Sequence, residues 1–121
     1  MFKHAIPVLR VQSSSRAEEF YCGLLGFEIR FAYRPDQSSP DPCYMGLVRD
    51  AAALHVSSFA GDGNAGAAVY VLVEDVDAVA RELTARGATM ALEPTDQTWG
   101  NREMYVEDPD GNSVRFVQER S

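Results

Sequence analysis

Apolar and polar positions along this chain alternate in short bursts, interrupted twice by helical spacing. Residues 4–11 (HAIPVLRV) carry the β-formers Ile6, Val8 and Val11, and Pro7 marks an edge or an end of pairing. Residues 27–34 (FEIRFAYR) alternate as a strand does. CYMGLVRD (43–50) and AALHVSSF (52–59) read as two strands joined tightly around Asp50. Four more strands follow: 67–73 (AAVYVLV), 88–94 (ATMALEP), 103–108 (EMYVED) and 112–118 (NSVRFVQ). The segment 13–26 (SSSRAEEFYCGLLG) changes period and predicts a helix. Ser15 and Glu18 form a capping box, Phe20, Tyr21, Leu24 and Leu25 share a face, and Gly26 is the stop. A second helix is predicted over 74–87, with Asp75 as N-cap, Val76, Val79, Ala80 and Leu83 on one face, and Gly87 at its end. Loops fall at 36–42, 60–66 and 96–102, where Gly, Pro, Ser and Asp concentrate.

The order β-α-β-β-β therefore occurs twice, over modules 1–60 and 67–121. The fold class is α+β: two βαβββ modules forming a curved mixed sheet around a cleft, within a single domain 1–121. In each module a helix covers one sheet face, and the other face is left for a different use.

Charge narrows the uses. The formal net charge is −7 and no basic cluster occurs, which argues against nucleic acid; the acidity serves solubility first, and would also attract a cationic small molecule. No apolar run approaches the ~20 residues of a membrane helix. The start MFKHAIPVL is too short for a signal peptide and lacks a small-residue cleavage site, so a cytoplasmic protein is expected. Cys22 and Cys43 have no metal-type spacing and are expected as free thiols.

Candidate chemistry is sparse. Asp108-Pro-Asp-Gly-Asn112 begins like a calcium loop, but its sixth position is Ser113 instead of glycine, so it reads as a turn between strands. No nucleophile with a relay is present, and residues 61–66 lack the lysine of a phosphate loop. Strand parity places His55 with Ser57 on the cleft face, and Arg115 with Ser113 and Val117. Arg115 there pairs with an anionic ligand group or with an acidic side chain. His55 contacts a ligand or is a hydrogen-bonded histidine without a role. Trp99 stands in a polar loop, where its ring is expected to cover something. Tyr33, Phe59 and Tyr70 add to the cleft wall by parity. Glu103 is a candidate base, and His4, His55 and Glu103 form the one metal constellation that can be assembled. Asp36, Asp41 and Asp62 are acidic candidates near the cleft loops.

The doubled βαβββ order, FYCGLLGFEI (20–29) and MYVEDPDGNSVRFVQ (104–118) resemble the vicinal oxygen chelate superfamily, which includes glyoxalase I, extradiol dioxygenases and bleomycin-resistance proteins. AIPVLRV (5–11) and QTWGNREMYVEDPDGNSVRFVQE (97–119) look most like the bleomycin-resistance group. The resemblance implies four metal-ligand positions, which fall here at Ile6, His55, Ala68 and Arg115. Isoleucine and alanine cannot ligate, and a guanidinium repels a cation. The resemblance thus implies the fold without the usual metal or any other cofactor. The expected function is a metal-independent protein that binds a bleomycin-type antibiotic and confers resistance by sequestration, with no catalytic residues. It implies Phe31, Tyr44 and Trp99 as cleft aromatics, beside His55, Ser57 and Arg115, around a small cationic or aromatic natural product. It also implies a homodimer that exchanges its N-terminal strand. A divalent-metal glyoxalase-type lyase or dioxygenase is the alternative.

Overall fold

The computed structural model describes residues 1–120. The first module runs β1 (Val8–Arg10), α1 (Ser14–Glu18), β2 (Glu28–Tyr33), β3 (Tyr44–Arg49) and β4 (Ala52–Ser57). The second runs β5 (Ala68–Leu72), α2 (Val76–Ala85), β6 (Leu92–Asp96), β7 (Arg102–Glu107) and β8 (Ser113–Gln118). Each module makes its own four-stranded sheet, in the orders β1-β4-β3-β2 and β5-β8-β7-β6. Both sheets are mixed, because β1 runs parallel to β4 and β5 parallel to β8 while the other pairs are antiparallel. The α+β class and the two βαβββ modules are as the sequence predicts.

Several boundaries differ, each for a local reason. The first strand has three residues instead of eight. Pro7 has no N–H to donate, and its carbonyl accepts one last bond from the His55 amide at 2.9 Å. The sixth strand starts at Leu92, because Pro94 falls inside it and a bulge between Leu92 and Thr95 shifts the register. The first helix is capped by Ser13, whose hydroxyl accepts from the Arg16 amide at 3.3 Å, and not by Ser15. Ser14 is tied elsewhere: its amide donates to Asp41 and its hydroxyl to the Pro40 carbonyl. Beyond Glu18 the helix widens into a π-helical stretch, Glu19–Leu24, closed by an i→i+5 bond from the Leu25 amide to the Phe20 carbonyl. This leaves Ala17, Phe20, Tyr21 and Leu25 buried and Leu24 only partly so.

Alternate strand residues turn toward the helices. Met45, Leu47, Leu54 and Val56 from the first sheet join Met104, Val106, Val114 and Phe116 from the second, with Tyr21, Val76 and Leu83 from the helical segments, in one buried cluster. Both cysteines are free thiols, Cys43 buried and Cys22 partly so.

Asp108-Pro-Asp-Gly-Asn112 is a turn, and its acids are used internally. One Asp108 oxygen accepts from the Asp110 and Asn112 amides, and the other from the Tyr21 hydroxyl at 2.7 Å and the Asn112 side chain at 2.8 Å. Asn112 also donates to the Arg10 carbonyl and accepts from the Gly66 and Ala67 amides. The turn thus ties the first module to the strand that opens the second.

A second tie lies on the helix side. Arg49 donates to the Leu25 carbonyl at 2.8 Å and to Glu82 of α2 at 2.6 Å. The bond from Arg49 holds the Glu82 carboxyl below its ordinary value. A depressed folded pKa gives stability that is present above the unfolded value and lost as pH falls through the folded one. Glu82→Gln is expected to cost about 0.5–1 kcal/mol at neutral pH, an amount limited by the pair's partial exposure. In urea melts, the gap to the parent protein should close as pH is lowered below the carboxylate range. A gap independent of pH would contradict the tie.

Candidate functional site

The helices cover one face of each sheet, and the opposite faces are open. Most of the exposed large apolar side chains lie on that open side: Ile6, Val8, Phe31 and Tyr33 on the first sheet, and Tyr70, Leu72 and Trp99 on the second. An apolar surface of this kind, gathered on one side, marks a binding or association face.

On the first sheet, strand pairing sets Val8, His55, Gly46 and Phe31 in one row and Arg10, Ser57, Tyr44 and Tyr33 in the next. Gly46 makes the platform possible. The Phe31 ring lies across it, and a Cβ there would stand 2.2 Å from the ring. Phe31 stacks on Tyr44 with centroids 6.2 Å apart and meets His55 edge-on at 5.4 Å. The Tyr44 hydroxyl and His55 Nδ1 are 2.7 Å apart, which fixes the imidazole plane. Burial, and then the charge of Asp62, push the Tyr44 phenol above its ordinary pKa. Tyr33 and Phe59 stack at 6.1 Å and extend the platform. A groove of about 380 Å³ runs beside Phe31 and His55, lined also by His4, Ile6 and Val48.

Ser57 departs from its expected part. It is fully buried, and its hydroxyl donates to Asp62 at 2.6 Å. It therefore pins the 60–66 loop and does not present a hydroxyl to a ligand. Asp36 and Asp41 are also taken up locally, by Ser38 and by Ser14 and Ser58.

On the second sheet the rows are Tyr70, Arg115, Tyr105 and Leu72, Val117, Glu103. Among the described residues Arg115 meets no carboxylate; its guanidinium carbon lies 4.6 Å from the Tyr105 ring centroid and its Nε donates to Ser113. Trp99 donates from Nε1 to Glu103 at 2.9 Å, and the Tyr105 hydroxyl donates to the other Glu103 oxygen at 2.6 Å. Glu103 is fully buried. Its bond raises the Tyr105 pKa. Trp99 thus covers a buried carboxylate and shows its own ring to the open side. The larger hollow, about 610 Å³ between α2 and β6, is a surface cleft whose Arg102 and Asp77 pair with each other at 3.0 Å.

A family model described as glyoxalase superfamily protein matches residues 1–121. The chain belongs to the glyoxalase superfamily. Among solved structures it is similar to the bleomycin resistance determinant encoded on the transposon Tn5, at 22% identity and a TM-score of 0.79, covering 99% of this chain and 100% of that one. It is similar to a bleomycin-binding protein complexed with bleomycin, at 21% identity and a TM-score of 0.77, over 98% and 100% of the two chains. It is also similar to TnmS3, an antibiotic binding protein from Streptomyces sp. CB03234, at 22% identity and a TM-score of 0.74, over 99% of each chain. At these identities the structural likeness speaks for the fold. The chain matches none of the curated proteins with which it was compared.

The donor set does not fit the metal that the superfamily's enzymes hold. Ile6 and Ala68 offer no donor atom, and Arg115 offers only N–H groups and a positive charge. His55 remains, with Nδ1 engaged by Tyr44. The constellation of His4, His55 and Glu103 is not assembled. His4 and His55 line one groove on the first sheet, while Glu103 is enclosed by Trp99 and Tyr105 on the second. Among the described residues no three His, Cys, Asp or Glu side chains are grouped to hold a metal ion.

Tyr105 and Gly46 are the site residues that sequence reasoning passed over. Parity alone puts Tyr105 opposite Arg115 once the β7–β8 hairpin is drawn. Gly46 gave no signal, because its part is to be empty.

Proposed function

We propose that this protein binds a small natural product of the antibiotic class, most like a bleomycin-type compound, on the open sheet faces and confers resistance by sequestration without a chelated metal. The observation that carries the reading is the platform of exposed Phe31 with half-buried Tyr44 and His55, seated on Gly46 and beside Ile6, which cannot supply the metal ligand a superfamily enzyme needs. Flat rings on a rigid sheet stack with heterocycles at little cost in ordering. The names of the bleomycin-binding and antibiotic-binding neighbours support this reading. We place the protein in the cytoplasm as a single-domain subunit of a homodimer. The two open faces and the edge strand β1 are the surfaces a second copy would cover, with or without exchange of the N-terminal segment. No helix among the described residues is long and apolar enough to cross a membrane.

The metal-dependent lyase or dioxygenase is disfavoured by the same donor set, and no observation favours it. A thermal-shift series separates the two readings. Metal-free bleomycin at a hundred times its Kd should stabilise by about 2.7 kcal/mol, a rise in Tm on the order of 10 °C, equally with and without chelator. A shift that appears only when a divalent metal is added would favour the enzyme.

A further inference from the structure

The second sheet's open face holds a cation, Arg115, that among the described residues shares with the half-buried Arg10 a single 3.3 Å hydrogen bond and no carboxylate, and that lies over a tyrosine ring besides. Arg10 and Arg34 donate to backbone carbonyls, and Arg49 and Arg102 to carboxylates. Arg115 is equally half-buried, yet among the described residues its only hydrogen bond is from Nε to the Ser113 hydroxyl, at 3.3 Å. Among the described residues its two terminal nitrogens have no hydrogen-bond partner.

The guanidinium is nevertheless held in place. It lies over the Tyr105 ring, and the pairing of β5, β8 and β7 puts Tyr70 on its other side. Its terminal nitrogens reach solvent, since no described side-chain nitrogen or oxygen is both buried and without a partner, so an acceptor can meet them from the open side. The chain has 18 acidic residues against 11 basic ones, so an internal carboxylate partner would have been easy to supply. Glu103, which lies next along β7, has both oxygens occupied by Trp99 and Tyr105. Neither oxygen is thus bonded to Arg115, and the exposed tryptophan ring lies on the open side.

We infer that Tyr70, Arg115 and Tyr105 form an anion-recognition subsite, in which Arg115 takes a carboxylate of a flat aromatic ligand as a bidentate pair while Tyr70 and Trp99 flank the ring. This rests on the sequestration reading and adds the ligand's class: an acidic or zwitterionic aromatic compound, in place of a purely cationic one. The net charge of −7 opposes an anion only at long range. At physiological salt that field is screened within about 8 Å, and a charge-assisted pair acts at contact.

Trp99 is the one tryptophan in the chain, so its fluorescence reads this subsite directly. The experiment titrates anthraquinone-2-carboxylate and its uncharged carboxamide into the full chain and into Arg115→Gln. The acid is expected to quench Trp99 with an affinity about tenfold above that of the amide. Arg115→Gln should bring the acid down to the amide's level and leave the amide unchanged. Arg115→Lys should recover only part of the difference, since an ammonium lacks the planar fork. Equal affinities for acid and amide on the parent protein, or equal loss of both in Arg115→Gln, would overturn the subsite. If neither probe binds while bleomycin does, the subsite falls and sequestration stands. If no compound binds, both fall.

Discussion

Asp108→Ala is expected to destabilise the protein by about 4 kcal/mol, because it strands several buried groups at once. The carboxylate accepts from the Tyr21 hydroxyl, the Asn112 side chain and two backbone amides, and both Asp108 and Asn112 are buried. Asn112→Ala should cost about 3 kcal/mol, through the Gly66 and Ala67 amides and the Arg10 carbonyl that it leaves unpaired. The double variant should lose less than the sum, since the two residues share one network. Urea melts check all three, and near-neutral single variants would show that water replaces the network without penalty. The same turn makes the fold sensitive to alkali. Burial, then the Asp108 charge, push the Tyr21 phenol far above its ordinary value. A raised folded pKa gives stability that is intact below the unfolded value near 10 and eroded as pH rises beyond it. Tyr21→Phe should flatten that alkaline decline.

The second large effect is on binding. Phe31→Ala should weaken a stacked aromatic ligand by about 2 kcal/mol, near thirtyfold, the scale of a central aromatic contact. The stability cost should stay near 1 kcal/mol, because the ring is already 44% exposed. Gly46→Val offers an independent route to the same end. It fills the seat beneath the ring, where a Cβ would stand 2.2 Å from Phe31, and pushes the platform out of line while leaving its chemistry intact. Calorimetric affinities and melting temperatures for both variants separate loss of the platform from loss of the fold. Unchanged affinity in both would place the ligand elsewhere.

Much of this architecture could be read from residue order. Period-2 alternation in 44–57 and 102–118 gives both hairpins, and parity alone puts Arg115 and His55 on the open side, away from Val114 and Leu54. The errors came where a local rule yielded to a tertiary partner. Ser13 caps the helix because Ser14 is drawn to Asp41 and Pro40, residues remote in sequence. The sixth strand slid because its bulge depends on the register of its partner. Ser57 sits at a cleft-facing parity, but the partner that consumes its hydroxyl, Asp62, lies in a loop whose course alternation does not predict. Glu103 looked like a free base because its burial arises from Trp99 folding back over it from four residues earlier.

On the proposed function, the open sheet faces bind a ligand without a metal. A calorimetric titration of metal-free bleomycin into chelator-treated protein tests it most directly. Saturable binding at about one ligand per chain is expected, since each chain supplies one set of faces. No heat of binding, together with a divalent metal found tightly held in the untreated protein, would contradict it.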